Sequence, residues 1–264
     1  MSENKLTLHG RTAIITGAAS GIGFAVAQCF AQAGANVVLS DINAQQANFR
    51  AEELRNSNYR VAAFPADASQ EADMQKLIEF AVRKFATVDV FVNNAGMQYV
   101  SSLENFPVAK FEQMIRLMLI GPFISTKTVF PIMKKNGYGR IINMASVNGL
   151  IGFAGKAAYN SAKHGVIGLT KVSALEGASH GITVNALCPG YVDTPLVRNQ
   201  LADIARSRGV PEEKVLEEVI YPLVPQQRLL TVEEVANYAL FLASDLGRSI
   251  TGQAVVMDGG YLAQ

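Results

Sequence analysis

Short apolar runs recur along this chain, each followed by a stretch with helical spacing, and that alternation limits the available folds more than any other feature. Arg11 to Thr16 is apolar and β-branched; Ser20 to Gly34 behind it repeats at helical intervals and stops on a glycine. The same pairing recurs at Asn36 to Asp41 with Ala44 to Ser57, at Arg60 to Pro65 with Ser69 to Ala86, and at Val88 to Val92 with Pro107 to Lys135. Gly139 to Met144 precedes a helical stretch from Ala157 to Ser179, and Thr183 to Leu187 and Ala254 to Met257 read as further strands. Ser69 is expected to cap its helix, with Asp73 in the first turn, and the long helix after Pro107 is expected to bend near Gly121 and Pro122. The strands show no clear alternation of apolar and polar residues, so both faces of the sheet should be covered. This pattern predicts an α/β fold, a doubly wound parallel sheet of about seven strands with helices on both faces. No linker, repeat or low-complexity segment interrupts it, so residues 1–264 read as one domain.

One irregular stretch, Tyr191 to Thr231, is richer in charge, carries Pro195, Pro211, Pro222 and Pro225, and predicts an amphipathic helix from Glu212 to Val219. It follows the sixth strand, at the sheet edge where ligands bind in this architecture. A substrate lid is the functional reading and a solvated excursion the plain one. The chain is 49% apolar with a formal net charge of +1, and without a basic run it gives no reason to expect nucleic acid. Met1 to His9 is polar and does not read as a signal peptide. No apolar run reaches the ~18 residues of a membrane span, so a soluble, cytoplasmic protein without membrane partners is the expectation. Cys29 and Cys188 read as buried free thiols, and His9, His164 and His180 lack metal-ligand spacing, so no metal is expected.

The first strand ends in Thr16-Gly17-Ala18-Ala19-Ser20-Gly21-Ile22-Gly23, and a helix follows. Glycines at such a turn let backbone approach a pyrophosphate, and the helix N-terminus offers free N–H groups and positive dipole. Asp41 ends the second strand. A carboxylate there can accept hydrogen bonds from both adenosine ribose hydroxyls and repels a 2′-phosphate, which favours NAD over NADP. Ser40 and Ile42 beside it are not basic; a strand-end aspartate is also an ordinary turn residue.

Tyr159 and Lys163 are four apart on an expected helix and share one face. A tyrosine with an unperturbed pKa of about 10 is a poor base. An ammonium at ~5 Å should lower it by roughly two pKa units at an effective dielectric of ~20. Tyr159 could then exchange a proton with a substrate hydroxyl that Ser146, after the fifth strand, also contacts. A Tyr-x-x-x-Lys pair alone is also a common surface pair; the glycine turn and Ser146 give it weight.

With these residues assembled, the chain resembles the short-chain dehydrogenase/reductase family over nearly its whole length. The similar pieces are Thr16 to Gly23, Asp67, Asn93-Asn94-Ala95-Gly96, Ser146, Tyr159 to Lys163, Pro189-Gly190 and Asp258-Gly259-Gly260. The resemblance implies a Rossmann-like fold, Ser146, Tyr159 and Lys163 as catalytic residues, and a homotetramer. It implies that Asp67 contacts adenine, that Asn94, Ala95 and Gly96 line the cofactor cleft, and that Pro189, Gly190, Val192 and Thr194 belong to the cofactor site, Thr194 meeting the nicotinamide amide. One departure is Met118, which stands where the family normally carries an asparagine that holds a water on the proton path. A thioether accepts weakly and cannot donate, so a core methionine is the better reading.

Within the family, Asn94 to Gln98, Gly155 to Tyr159, Pro189 to Val197 and Gly259 to Gln264 are similar to bacterial D-3-hydroxybutyrate dehydrogenases. This implies a small 3-hydroxy acid as substrate, (R)-3-hydroxybutyrate giving acetoacetate, as in ketone-body metabolism. It assigns the substrate carboxylate to Gln98, Lys156 and Gln200, with Asn148 where a histidine is usual. Alternatives are a polyol, a sugar or another secondary alcohol on the same triad, or a nucleotide-binding subunit without turnover.

Overall fold

The computed structural model describes residues 6–263. Seven strands form one sheet: β1 (Thr12–Thr16), β2 (Asn36–Asp41), β3 (Val61–Pro65), β4 (Val90–Asn93), β5 (Gly139–Met144), β6 (Ile182–Pro189) and β7 (Ala254–Met257). Their order is β3-β2-β1-β4-β5-β6-β7, and every neighbouring pair is parallel. The sequence order therefore reverses between β1 and β4. Strands β1, β5 and β6 are buried at every residue, which is why their sequences do not alternate.

Helices α1 (Gly21–Gln32), α2 (Ala44–Asn56), α3 (Glu71–Phe85), α4 (Val108–Ile115), α5 (Gly121–Asn136) and α6 (Ala157–Gly177) separate the strands. After β6 come α7 (Pro195–Arg198), α8 (Leu201–Arg208) and α9 (Val232–Ala243). One core joins α1 and α9 to the sheet through Val26, Phe30, Ile15, Val235 and Leu240; the other joins α3 and α5 through Leu77, Ile78, Phe91, Val129 and Ile141.

Several expectations are corrected. Helix α3 begins after Gln70 rather than Ser69, because the Ser69 N–H is held by the Asp67 carboxylate at 2.9 Å and stays in the preceding turn. The long helix is irregular near Gly121, as expected, through a π turn at Arg116–Ile120. The run Val108–Asn136 is long and apolar enough, by length and composition, to cross a membrane. Scattered polar residues hide this from a search for unbroken apolar runs. In the fold its apolar side, including Ile124, Phe130 and Met133, packs on the sheet and α3, and Lys127, Lys134 and Lys135 face outward. Cys29 is half-buried, whereas Cys188 is buried; both thiols are free.

Residues 212–220 do not form the expected regular helix. Glu212–Lys214 is a 3-10 turn and Leu216–Ile220 a π turn, and Val215 and Ile220 pack on Leu201 and Ala205 of α8. Helix α9 is absent from the sequence reading, although Thr231 and Glu234 carry its signal. They form a capping box, with reciprocal bonds of 3.2 and 2.8 Å.

Candidate active site

The crest between β1 and β4 opens because the chain leaves these strands toward opposite ends of the sheet. The glycine turn between β1 and α1 lies there. Gly17 has φ +62°, and a Cβ on Gly23 would fall 2.2 Å from the Gly17 carbonyl oxygen. The chain's own packing therefore requires glycine at both positions. Gly21, at φ +53°, faces more open space; a Cβ there would meet Thr194 Cγ2 at 3.6 Å. The first helical bond of α1 runs from the Phe24 N–H to the Ser20 carbonyl, and the Ser20 side chain caps nothing. The amides of Gly21, Ile22 and Gly23 therefore remain available at the positive end of the helix.

Asn94 serves as a strut beneath this turn. Its side-chain amide donates to the carbonyls of Thr16 and Gly17, each at 3.0 Å. The Thr16 hydroxyl oxygen in turn accepts the N–H groups of Asn94 and Ala95 at 3.1 Å. A second buried chain runs one layer below. Ser125 donates to Asn93, Asn93 to Asn143, and Asn143 to Thr170, at 2.5, 2.8 and 2.9 Å. It ties β4 and β5 to α5 and α6, and so fixes the helix carrying Tyr159 and Lys163 relative to the crest. Sequence spacing gives no sign of this chain, since its members lie far apart along the sequence.

Three cavities follow the crest. Gly17, Asp41, Asp67, Ala95 and Gly96 line the first. Asp41 accepts the Ala19 N–H at 3.0 Å and the Asn43 N–H at 2.9 Å, which fixes both carboxylate oxygens. The second is lined by Ile22, Asn94, Gly96, Ser146, Tyr159, Lys163, Pro189, Gly190, Val192 and Thr194. The third brings together Gln98, Ser146, Asn148, Lys156, Tyr159 and Gln200. Ser20, Gly21 and Gly23 line none of the three. Ser146 and Tyr159 stand where the second and third meet. Tyr191, Leu196, Val197 and Ile204 complete the third and escaped the sequence reading. Leu196, Gln200 and Ile204 are spaced four apart, a legible one-face pattern across α7 and α8.

The electrostatics differ from expectation. Burial pushes the Tyr159 phenol above its ordinary value, and the Ser146 hydroxyl pulls the other way. The ring packs with Met114, Met118, Ala158 and Ala162, an apolar setting that disfavours a phenolate. Lys163 does not offset this: its Nζ lies 5.4 Å from the ring centroid and donates to the Met144 carbonyl at 2.5 Å. Burial lowers Lys163 to about 8 and raises the neighbouring Cys188 thiol to about 11. Met118 lies in the π turn, 1% exposed, with its sulfur 3.5 Å from where a Cβ on Gly96 would sit.

Lys156 is 6% exposed, and burial lowers its pKa to about 8. Its Nζ lies 4.6 Å from the Phe153 ring centroid, and no carboxylate pairs with it among the described residues. The Gln98 carbonyl accepts the Tyr99 N–H at 3.2 Å, leaving its amide hydrogens to donate. The Gln200 amide spends one hydrogen on the Leu196 carbonyl at 2.6 Å.

A parallel sheet with its crest cavities and a Ser-Tyr-Lys cluster could be shared by more than one lineage. The family model described as "Enoyl-(Acyl carrier protein) reductase" matches residues 17–262. A protein named D-beta-hydroxybutyrate dehydrogenase from Rhizobium meliloti (strain 1021) is 44% identical over 96% of this chain and 99% of its own. The chain belongs to the short-chain dehydrogenase/reductase family.

This short-chain dehydrogenase/reductase is an oxidoreductase by that membership. It is 58% identical to "Uncharacterized oxidoreductase YxjF" of Bacillus subtilis (strain 168), over 97% of this chain and 100% of that protein. A solved short-chain type dehydrogenase/reductase from Mycobacterium marinum superposes with a TM-score of 0.89 at 30% identity, covering 99% of each chain.

Proposed function

We propose that this enzyme oxidises a small 3-hydroxy acid, (R)-3-hydroxybutyrate to acetoacetate, with NAD. The observation that carries the reading is the buried ammonium of Lys156, without a carboxylate partner among the described residues and on the same cavity as Ser146 and Tyr159. A buried charge in an apolar site is costly unless a ligand compensates it. A carboxylate two carbons from the reacting carbinol would supply that compensation. Gln98 and Gln200 each retain an amide hydrogen for the same group, and Asn148 offers a neutral donor where a histidine would offer a charged one.

The crest suits a nicotinamide dinucleotide. The amides at the start of α1 suit its pyrophosphate, Asp41 the adenosine ribose hydroxyls, and Asp67 the adenine. A 2′-phosphate would face Asp41 with only Ser40 and Ile42 beside it, which favours NAD. Thr194 suits the carboxamide at the cavity shared with Lys163. When bound, the oxidised cofactor supplies the hydride acceptor and a positive charge near Tyr159. Ser146 orients the substrate hydroxyl, Tyr159 takes its proton, and Lys163 holds positive charge beside the phenolate. A phenol raised by burial needs that added charge, so Tyr159 becomes an effective base only in the loaded site.

The test follows NADH formation by its near-ultraviolet absorbance with D- and L-3-hydroxybutyrate and a polyol panel, using NAD and NADP in parallel. The expected result is turnover of the D enantiomer with NAD. Turnover of a polyol but of neither hydroxybutyrate would replace the substrate assignment; tight NAD binding without turnover of any alcohol would favour a nucleotide-binding subunit.

A further inference from the structure

Beyond Lys156 lies a second and larger opening. It is an open groove between the 100–103 loop, the 153–156 loop and the segment after β6. Its walls are mainly apolar, from Val100, Leu103, Phe153, Ala154 and Val219, and Arg206 and Arg208 stand at its rim. The two loops are bonded to each other: the Ser101 N–H donates to the Gly155 carbonyl at 3.0 Å, and a Cβ on Gly155 would come within 3.1 Å of Val100. The loop edge of the groove is therefore built, not incidental.

The groove adjoins the substrate cavity. Lys156, Tyr191 and Ile204 line both. A further cavity between them shares Gln98, Leu196 and Gln200 with the first and Val100 and Asp203 with the second. The partition is the long side chain of Lys156, its ammonium over the Phe153 ring, and a ligand entering the groove must turn it aside. A four-carbon acid has no use for the groove. An elongated molecule does, with its carbinol at Tyr159, a polar link beside Lys156 and a terminal anion at the rim. Arg206 pairs with Asp203, whereas no carboxylate among the described residues pairs with Arg208.

We propose that the substrate site continues past Lys156 into this groove and accepts elongated 3-hydroxyacyl compounds ending in a carboxylate, represented by the linear ester dimer of 3-hydroxybutyrate. The inference rests on the 3-hydroxy acid reading above. The chemistry is unchanged: the carbinol C–H bond breaks with its hydride going to the oxidised nicotinamide dinucleotide, and the hydroxyl proton goes to Tyr159. The ester bond stays intact.

The experiment compares steady-state oxidation of (R)-3-hydroxybutyrate and of its linear dimer by the wild-type enzyme, Ala154→Trp and Arg208→Gln. Ala154 and Arg208 are exposed, so neither change should disturb folding. The wild type is expected to oxidise the dimer, with a kcat/KM below that for the monomer because a neutral ester replaces the carboxylate at Lys156. Ala154→Trp should lower the dimer value by about tenfold or more by filling the groove, and leave the monomer value unchanged. Arg208→Gln should raise only the dimer KM, by about three- to fivefold, as expected for an exposed charge pair. Oxidation of the monomer with refusal of the dimer overturns the groove and leaves the 3-hydroxy acid reading standing. So does a dimer rate indifferent to Ala154→Trp. Refusal of both compounds overturns that reading and the extension with it.

Discussion

Replacing Lys156 with methionine separates two consequences of one buried ammonium. The side chain is 6% exposed, and burial takes its pKa from 10.5 to about 8. That drop corresponds to about 3 kcal/mol of penalty on the charged form in the folded chain. Below about 8 both folded and unfolded chains carry the proton, so the penalty is complete at neutral pH. Between about 8 and 10.5 the unfolded chain binds more protons than the folded one, and wild-type stability rises as the penalty is relieved. Lys156→Met should therefore be more resistant to urea at neutral pH, by about 3 kcal/mol, and its advantage should shrink across that window. The same substitution should raise KM for a 3-hydroxy acid by about ten- to a hundredfold, the loss of one charge-assisted bond, with a smaller change in kcat. In the wild type, KM should climb as pH passes about 8, where the free enzyme loses the Lys156 proton; in the variant that climb should disappear. A variant no more stable than the wild type at neutral pH would refute the burial argument. An unchanged KM would refute the role in carboxylate binding.

Two further outcomes follow from the same geometry. Tyr159→Phe removes the proton acceptor and little else, so kcat should fall by about 10²–10⁴ while NAD titration by fluorescence shows retained affinity. An intact rate would move the acid/base role elsewhere. Asn94→Leu strips the partners from the Thr16 and Gly17 carbonyls, and should cost about 2 kcal/mol or more in denaturant unfolding together with weaker NAD binding. Weaker NAD binding at unchanged stability would instead mean that this amide touches the cofactor directly.

Spacing gives no sign that Gln98, Asn148, Lys156 and Gln200 meet; only the resemblance implies it. Spread over about a hundred residues, they converge because α6, the crest loop and the segment after β6 close on one cavity. Met118 illustrates the opposite case. Its unusual residue type is plain in the sequence, and its burial beside Gly96 follows the core-methionine reading. Helix α9 was also legible, through the Thr231–Glu234 capping pattern, but its apolar face has meaning only against α1.

By itself the sequence determines the layered α/β sheet, since strands buried on both faces must be apolar throughout and the helices between them must be one-sided. It also determines the Tyr159–Lys163 spacing, because helical periodicity is local. Only the tertiary structure decides what surrounds those residues. The packing around Tyr159 raises the phenol where sequence spacing alone had the lysine lowering it, and the closeness of Gly23 to the Gly17 carbonyl adds a steric reason for glycine that the sequence does not show. Desolvation and steric clearance depend on every atom within a few ångströms, and those atoms come from distant parts of the chain.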